Sequence, residues 1–209
     1  MKIGIIGSGN MGGALAKLWA DKGHNILITS TSPEQTESVA KSIGKNVVTG
    51  STADAVSYGD VVVFAFPYES LKDVIGKGGS FKDKTVIDLI NPLTPDIKGL
   101  LIGFTTSAAE EIDKLIPDAR IVKAFNTISA PVIKSGNIKF NGITPDVYFC
   151  GNDEGSKAVV KGLIRDIGFE AVDSGPLTNA RYLEPISEFV IQLAILGLGD
   201  DIGVKVLRR

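Results

Sequence analysis

The 209-residue chain has little of several things that usually announce a function. Cys150 is its one cysteine and His24 its one histidine. A lone thiol cannot close an internal disulfide, so a reducing compartment is expected. One cysteine and one histidine also leave no ligand set for a histidine- or cysteine-rich metal site. Neither sign of charge is in excess: 22 basic and 24 acidic side chains give a formal net charge of −2. With no basic cluster to neutralise phosphates, no nucleic acid is expected as a partner. Long apolar runs are missing as well. The longest near the C-terminus, Phe189 to Leu198, is interrupted by Gln192 and Gly197 and is too short for a bilayer. Met1-Lys2 leads directly into a strand pattern, with no room for a signal peptide. The expectation is a cytoplasmic protein with no membrane part.

What remains is an ordinary globular composition, 44% hydrophobic and 22% charged. Up to Phe125, short β-branched runs alternate with helical patterns. Strands are predicted at Lys2–Ile6, Asn25–Thr29, Asn46–Thr49, Asp60–Phe66, Thr85–Leu89 and Arg120–Phe125. Helices are predicted near Met11–Lys22, Pro33–Ile43, Ala53–Ser57, Tyr68–Gly76 and Ser107–Leu115. The run Val61 to Phe66 is apolar at every position rather than alternating, which suits a parallel sheet covered on both faces. Strands alternating with helices imply βαβ crossovers and an α/β, doubly wound fold. Between Ile128 and Pro145, Pro131, Gly136-Asn137 and Asn141-Gly142 predict an irregular connection or small hairpin. A strand (Asp146–Cys150), a helix (Glu154–Ile167), a strand (Phe169–Asp173) and a long helical region (Pro176–Leu198) follow. Pro185 is expected to kink or restart that last helix. The division expected is a dinucleotide-binding domain over residues 1–127 and a small C-terminal α/β cap over residues 128–209.

Gly7-Ser8-Gly9-Asn10-Met11-Gly12 reads G-x-G-x-x-G after the first strand and at the start of a helix. The first glycine permits the tight turn, the second lets backbone approach a pyrophosphate, and the third allows close helix–strand packing. At the end of the second strand, where an NAD site carries Asp or Glu for the ribose 2′-hydroxyl, stand Thr29-Ser30-Thr31-Ser32. Hydroxyls can donate to a 2′-phosphate that a carboxylate would repel, so NADP is favoured over NAD. Ser32 with Pro33 also reads as a helix cap.

Four stretches together carry a resemblance: the glycine loop, Phe66-Pro67-Tyr68-Glu69, Val122-Lys123-Ala124-Phe125-Asn126-Thr127-Ile128, and Asp173-Ser174-Gly175-Pro176-Leu177-Thr178-Asn179-Ala180-Arg181. They resemble the NADPH:coenzyme F420 oxidoreductases, and the likeness runs from Met1 to about Leu207. It implies a Rossmann-type domain with a small C-terminal domain, and NADP lying against a deazaflavin or flavin acceptor with direct hydride transfer. The same module resembles the cytosolic domain of membrane metalloreductases that pass NADPH electrons to flavin and iron. By position, the resemblance implies that Ser8, Gly9, Asn10 and Met11, in a cofactor-binding loop bounded by Gly7 and Gly12, line the pyrophosphate and that Ser30, Thr31 and Ser32 meet the 2′-phosphate. Phe66 and Pro67 would flank ribose and nicotinamide, with Asn91, Ala124 and Asn126 at further strand ends. In that family an arginine is common where Thr31 stands, and the deazaflavin enzyme has a histidine where Asn126 stands.

Direct hydride transfer needs little acid–base help, so no catalytic side chain is assigned. His24 reads as a turn residue at the amino end of the sheet, and Cys150 as a buried core thiol. Asp60 and Asp88 read as loop or capping residues, and Asn152-Asp153 as a helix cap. Arg181 reads as either an anion contact or a surface salt bridge. Two other functions fit parts of the pattern. One is a non-catalytic NADPH sensor; the other is pyrroline-5-carboxylate reductase, which also opens G-x-G-N-M-G but needs more chain than follows Phe125. The final helical region is apolar on more than one side. It predicts a homodimer in which that helix, or the Asp200–Arg209 tail, contacts the other subunit's cleft.

Overall fold

A computed structural model describes residues 1–44, 46–207 and 209. Among them are eight strands: β1 (Lys2–Ile6), β2 (Asn25–Thr29), β3 (Val47–Thr49), β4 (Val61–Phe64), β5 (Thr85–Asp88), β6 (Arg120–Ala124), β7 (Asp146–Gly151) and β8 (Glu170–Asp173). The helices are α1 (Asn10–Asp21), α2 (Pro33–Ile43), α3 (Thr52–Tyr58), α4 (Leu71–Gly78), α5 (Ala108–Leu115), α6 (Ala130–Lys134), α7 (Glu154–Asp166) and α8 (Ala180–Leu193). All eight strands join one sheet in the order β3-β2-β1-β4-β5-β6-β7-β8. The doubly wound Rossmann-type order expected from the alternation is present.

The sheet separates two apolar layers. Ile3, Ile5, Val61, Val63, Val122 and Ala124 face one side with Trp19 of α1, Val132 of α6 and Leu163 of α7. Val62, Phe64, Val86 and Ile121 face the other, with Val56 of α3, Val74 of α4, Ile112 of α5 and Leu183 of α8. Alternate strand residues therefore serve opposite layers, which is why β4 is apolar at every position.

Pairing is parallel throughout except at one joint: β7 runs antiparallel to β6. The sheet is thus mixed rather than wholly parallel. The C-terminal strands extend it instead of forming a sheet of their own, and the core under Phe125 and Val132 is continuous with that under Phe149 and Phe169. The reversal has a geometric consequence. A strand paired antiparallel to β6 begins at the edge where β6 ends, so residues 125–145 never cross to the far side.

Several local expectations change. The segment after Phe66 is a 3-10 turn (Tyr68–Ser70) that opens into α4, because Pro67 has no N–H to continue the strand. The connection before β7 holds the short helix α6 besides the small hairpin, whose Phe140 and Ile143 exchange backbone bonds across Asn141-Gly142 at positive φ. Helix α8 runs through Pro185 without restarting, then loosens into a π-turn over Ala194–Leu198 with Gly197 at φ 105°. Ser32 precedes α2 but its side chain makes no cap bond. His24, in the turn before β2, lies 3.1 Å from Asp166 and 3.3 Å from the terminal amine, at the amino edge. No helix of the described residues is long and apolar enough to cross a membrane.

Residues 204–206 of the tail are bonded to the start of β7. Asp146 N–H donates to the Val204 carbonyl, Val206 N–H donates to the Asp146 carboxylate, and Lys205 pairs with that carboxylate at 2.7 Å. These bonds fix residues 204–206 of the tail beside the start of β7. Arg208 lies outside the described residues.

Candidate active site

The three loop glycines divide by what surrounds them. Gly7 has φ 114°, and a Cβ there would stand 2.1 Å from the Ala65 carbonyl oxygen. A Cβ on Gly12 would stand 1.9 Å from the Gly7 carbonyl oxygen. These two glycines shape the loop itself. Gly9 has an ordinary φ of −70°, and a Cβ on it would meet nothing within 4 Å. Its glycine is needed for neither backbone nor packing, so the space above it is a cradle open to a ligand. Helix α1, which Gly9 caps, has no side-chain cap bond and no acid in its first turn. Its leading N–H groups are left for an anion, where the helix dipole favours negative charge.

One side of this loop opens into a cleft of about 570 Å³. Gly7, Ser8, Gly9, Ser30, Thr31, Ser32, Phe66 and Pro67 all line it, as the spacing of those motifs anticipates. Ser8 and Ser30 of this lining belong to a triangle of hydroxyls completed by Thr36 behind the cleft. Ser8 donates to Ser30 at 2.9 Å, Ser30 and Thr36 share a bond at 2.7 Å, and Thr36 donates to Ser8 at 3.1 Å. Ser30 also accepts from the Ser32 N–H. Ser8 is buried, and its hydroxyl and that of Ser30 are spent on tying β1 to β2; Thr31 is exposed. Gly50 to Ala53, after β3, complete the wall and were not singled out by the sequence, although the Ser51–Asp54 capping box marks that turn. Lys77 is the one basic residue on this cleft among the described residues, paired with Asp73 at 2.7 Å.

A second hollow, about 240 Å³, lies at the ends of β5 and β6. Met11, Asn91 and Asn126 reach it together with Phe125, Thr127, Ser187 and Val190. Asn10 faces a neighbouring groove, where Lys134 donates to it at 2.5 Å. Gly12 and Ala124 are buried and line neither hollow; Ala124 pairs with Phe149 inside the sheet. Asn91 and Asn126 orient each other, Asn126 donating to the Asn91 side-chain oxygen at 3.1 Å and to the Leu183 carbonyl at 3.0 Å. Asn91 in turn donates to Ser187 at 2.8 Å, and Ser187 donates to the Asn126 carbonyl at 2.7 Å. Three buried atoms here have no partner: Asn126 Oδ1, Thr127 Oγ1 and Ser129 Oγ. An acceptor beside two hydroxyls, all desolvated, suits a ligand edge that carries both donor and acceptor, such as a carboxamide. Phe125, which begins this turn, is a buried aromatic at φ 62°, a rare conformation held against the Trp19 ring at 5.7 Å.

Beneath the hollow sits a feature the sequence reading missed. Lys123 is wholly buried and lies 2.9 Å from Asp88 and 2.8 Å from Glu184. It also donates to the Ile90 carbonyl. Glu184 accepts from the Ala108 and Ala109 N–H groups at the start of α5, and Asp88 accepts from the Ile90 N–H. Asp88 is therefore more than a loop residue; it is half of a carboxylate pair sharing one ammonium. Burial pulls the Lys123 ammonium down, but the two carboxylates outweigh it and hold it above its ordinary range. Burial lifts the Glu184 carboxyl above its usual value against the pull of Lys123. A charged letter in the interior of an otherwise apolar strand, between Val122 and Ala124, was the available signal. Nearby, Arg181 is a bidentate partner of Glu110, with bonds of 2.9 and 2.6 Å, rather than an anion contact. Cys150 is buried as expected, and burial pushes its thiol up to about 12, so it is not a nucleophile.

Comparison with known proteins fits this arrangement. The family described as NADP oxidoreductase, coenzyme F420-dependent, matches residues 2–92. The F420-dependent NADP reductase of Methanocaldococcus jannaschii is 31% identical over 99% of this chain and 98% of its own. This chain belongs to the F420-dependent NADP reductase family. A solved structure from Arthrobacter sp. FB24, provisionally named an F420-dependent NADP-reductase, superposes with a TM-score of 0.89 at 27% identity over the whole of both chains. Metalloreductase STEAP3 of Rattus norvegicus is 30% identical over 88% of this chain but only 36% of its own length. Like other members of the reductase family, the chain is an NADP-dependent oxidoreductase.

The division among the glycines yields a paired expectation. Gly9→Val should leave the unfolding midpoint nearly unchanged while abolishing NADPH binding measured by calorimetry. Gly12→Ala should instead lower stability by about 1–3 kcal/mol through overpacking against Gly7. A Gly9→Val protein that still binds NADPH would reduce the loop to a structural turn.

Proposed function

We propose that this protein binds NADPH along both hollows and transfers hydride between its nicotinamide and coenzyme F420 at the second. The observation that carries this reading is that the open Gly9 cradle and the unsatisfied polar edge at Asn126 and Thr127 both lie at the start of α1, whose Met11, two residues after Gly9, lines the second hollow. When bound, NADPH supplies the hydride and the deazaflavin accepts it directly. The chain binds, orients and excludes water. Backbone amides at Gly9, Asn10 and Met11 hold the pyrophosphate, assisted by the dipole of α1. Thr31 and Ser32 donate to the 2′-phosphate, while Ser8 and Ser30 act by fixing the loop that presents them. Phe66 and Pro67 flank the ribose, and Asn126 and Thr127 take the carboxamide edge. Asn91 keeps Asn126 in place, and Val190 with Ile191 shields the rings.

We also propose that the protein works in the cytoplasm as a homodimer. Phe189 on α8 and Ile195, Leu196 and Leu198 in or at the end of the π-turn that follows are exposed apolar side chains, Leu196 to 78%, and Phe104 lines a hollow together with Phe189. Surfaces of this kind are usually covered, and a two-fold axis covers one with its own copy.

Three measurements test these readings. Steady-state NADPH oxidation against F420, FMN and ferric chelates should show turnover with F420; tight NADPH binding with no acceptor consumed would instead identify a non-catalytic sensor. NADPH should bind more tightly than NADH, and Thr31→Asp should reverse that order by placing a carboxylate at the 2′-phosphate. Equal affinities in the parent protein would refute the NADP assignment. Phe189→Glu should give a soluble monomer with near-normal NADPH affinity and weaker F420 turnover. Sedimentation of the parent as a monomer at micromolar concentration would end the dimer proposal.

A further inference from the structure

A fully buried ammonium between two carboxylates is seldom retained for stability, since apolar side chains of similar volume commonly do as well. Its more general use is to fix which of several registers two packed elements adopt. Lys123 is placed to do this. Along β6, Val122 and Ala124 face the α1 layer, and Ile121 faces the layer of α5 and α8. Lys123 points to that same second layer, where Glu184 meets it at 2.8 Å. Glu184 is held from a third direction by two N–H groups of α5. Helix α8 cannot slide or rotate by a residue without stranding a buried charge.

The position of α8 matters because the next turns build the second hollow. Ser187, one turn beyond Glu184, bonds both Asn91 and the Asn126 carbonyl, and Leu183 takes the Asn126 amide. Val190 and Ile191 follow on the wall. On the other side, Asp88 and Lys123 hold Ile90, the residue before Asn91. Both asparagines are thus suspended from the same charge cluster. None of these bonds reaches the cleft on the other side of the glycine loop.

We propose that Lys123, with Asp88 and Glu184, is a positioning residue for the second hollow, setting the register of α8 and through Ser187 the Asn91–Asn126 pair. The proposal rests on the reading that this hollow takes the nicotinamide and its acceptor. It requires that disturbing the cluster weaken the nicotinamide half of binding and leave the adenosine half alone.

The test compares NADPH with 2′,5′-ADP, which carries only the adenosine half, by calorimetry on the full chain. Glu184→Gln keeps the shape and removes the charge. It should weaken NADPH about tenfold, as for a lost charge-assisted bond, with 2′,5′-ADP changed less than about twofold. F420 turnover should fall in the same variant with its KM raised. Ser187→Ala, which leaves the charges paired, should show the same split more mildly and stands in should Glu184→Gln not fold. Equal effects on both ligands, or none on either with only a lowered Tm, would overturn the proposal. A split in binding without F420 turnover by the parent protein would uphold it and count against the F420 reading instead.

Discussion

The reversal between β6 and β7 is the constraint on which the site depends. Every parallel strand of a doubly wound sheet delivers its carboxyl end to one edge, and ligands bind there because the loops and helix N-termini converge. A seventh parallel strand would draw its connection away to the opposite edge. Here β7 runs against β6, so residues 125–145 stay beside the glycine loop. That is why Lys134 of α6 can reach Asn10 across 124 residues of sequence, and why Phe125 to Ala130 line the same hollow as Met11.

The second half of the chain then closes that edge from the other face. The chain leaves the region of Cys150 with Leu177, just before α8, and Ala180, at its start, in the layer of α5, and α8 reaches the hollow with Ser187 and Val190. Its apolar stripe alone would leave its lengthwise position loose, since one apolar turn packs much like the next. The Glu184 carboxylate, bound at once to β6 and to the start of α5, is directional and expensive to misplace. Packing brings the helix to the sheet; the charge selects where it stops.

Polar economy also explains the cofactor corner. The Ser8–Ser30–Thr36 triangle satisfies three hydroxyls internally and locks two loops together. What remains for a ligand is the exposed Thr31 and Ser32 and the uncapped starts of α1 and α2. The site is therefore preorganised mainly by backbone, with few charged side chains to position.

Much of this was legible in the residues themselves. The apolar runs of β1 and β4 require burial on both faces whatever their neighbours, and G-x-G-x-x-G after a strand has one efficient geometry. Both are local, and they determined the doubly wound fold and the location of the cleft. The absence of an acid after β2 was equally plain in sequence. Other features depend on which distant segments meet. A lysine in a strand reads as an exposed residue until Asp88 and Glu184, 35 residues before and 61 after it, are brought alongside. Ser8 reads as a phosphate ligand until Ser30 and Thr36 claim its hydroxyl. The direction of β7 is likewise invisible in its own letters, because a buried strand has the same pattern in either orientation. By itself the sequence determined the strands and the longer helices, the glycine cradle and the polarity of the cofactor corner. Tertiary structure alone decided the reversal and the pairing of Lys123, because a partner's distance, unlike periodicity, is not written in neighbouring residues.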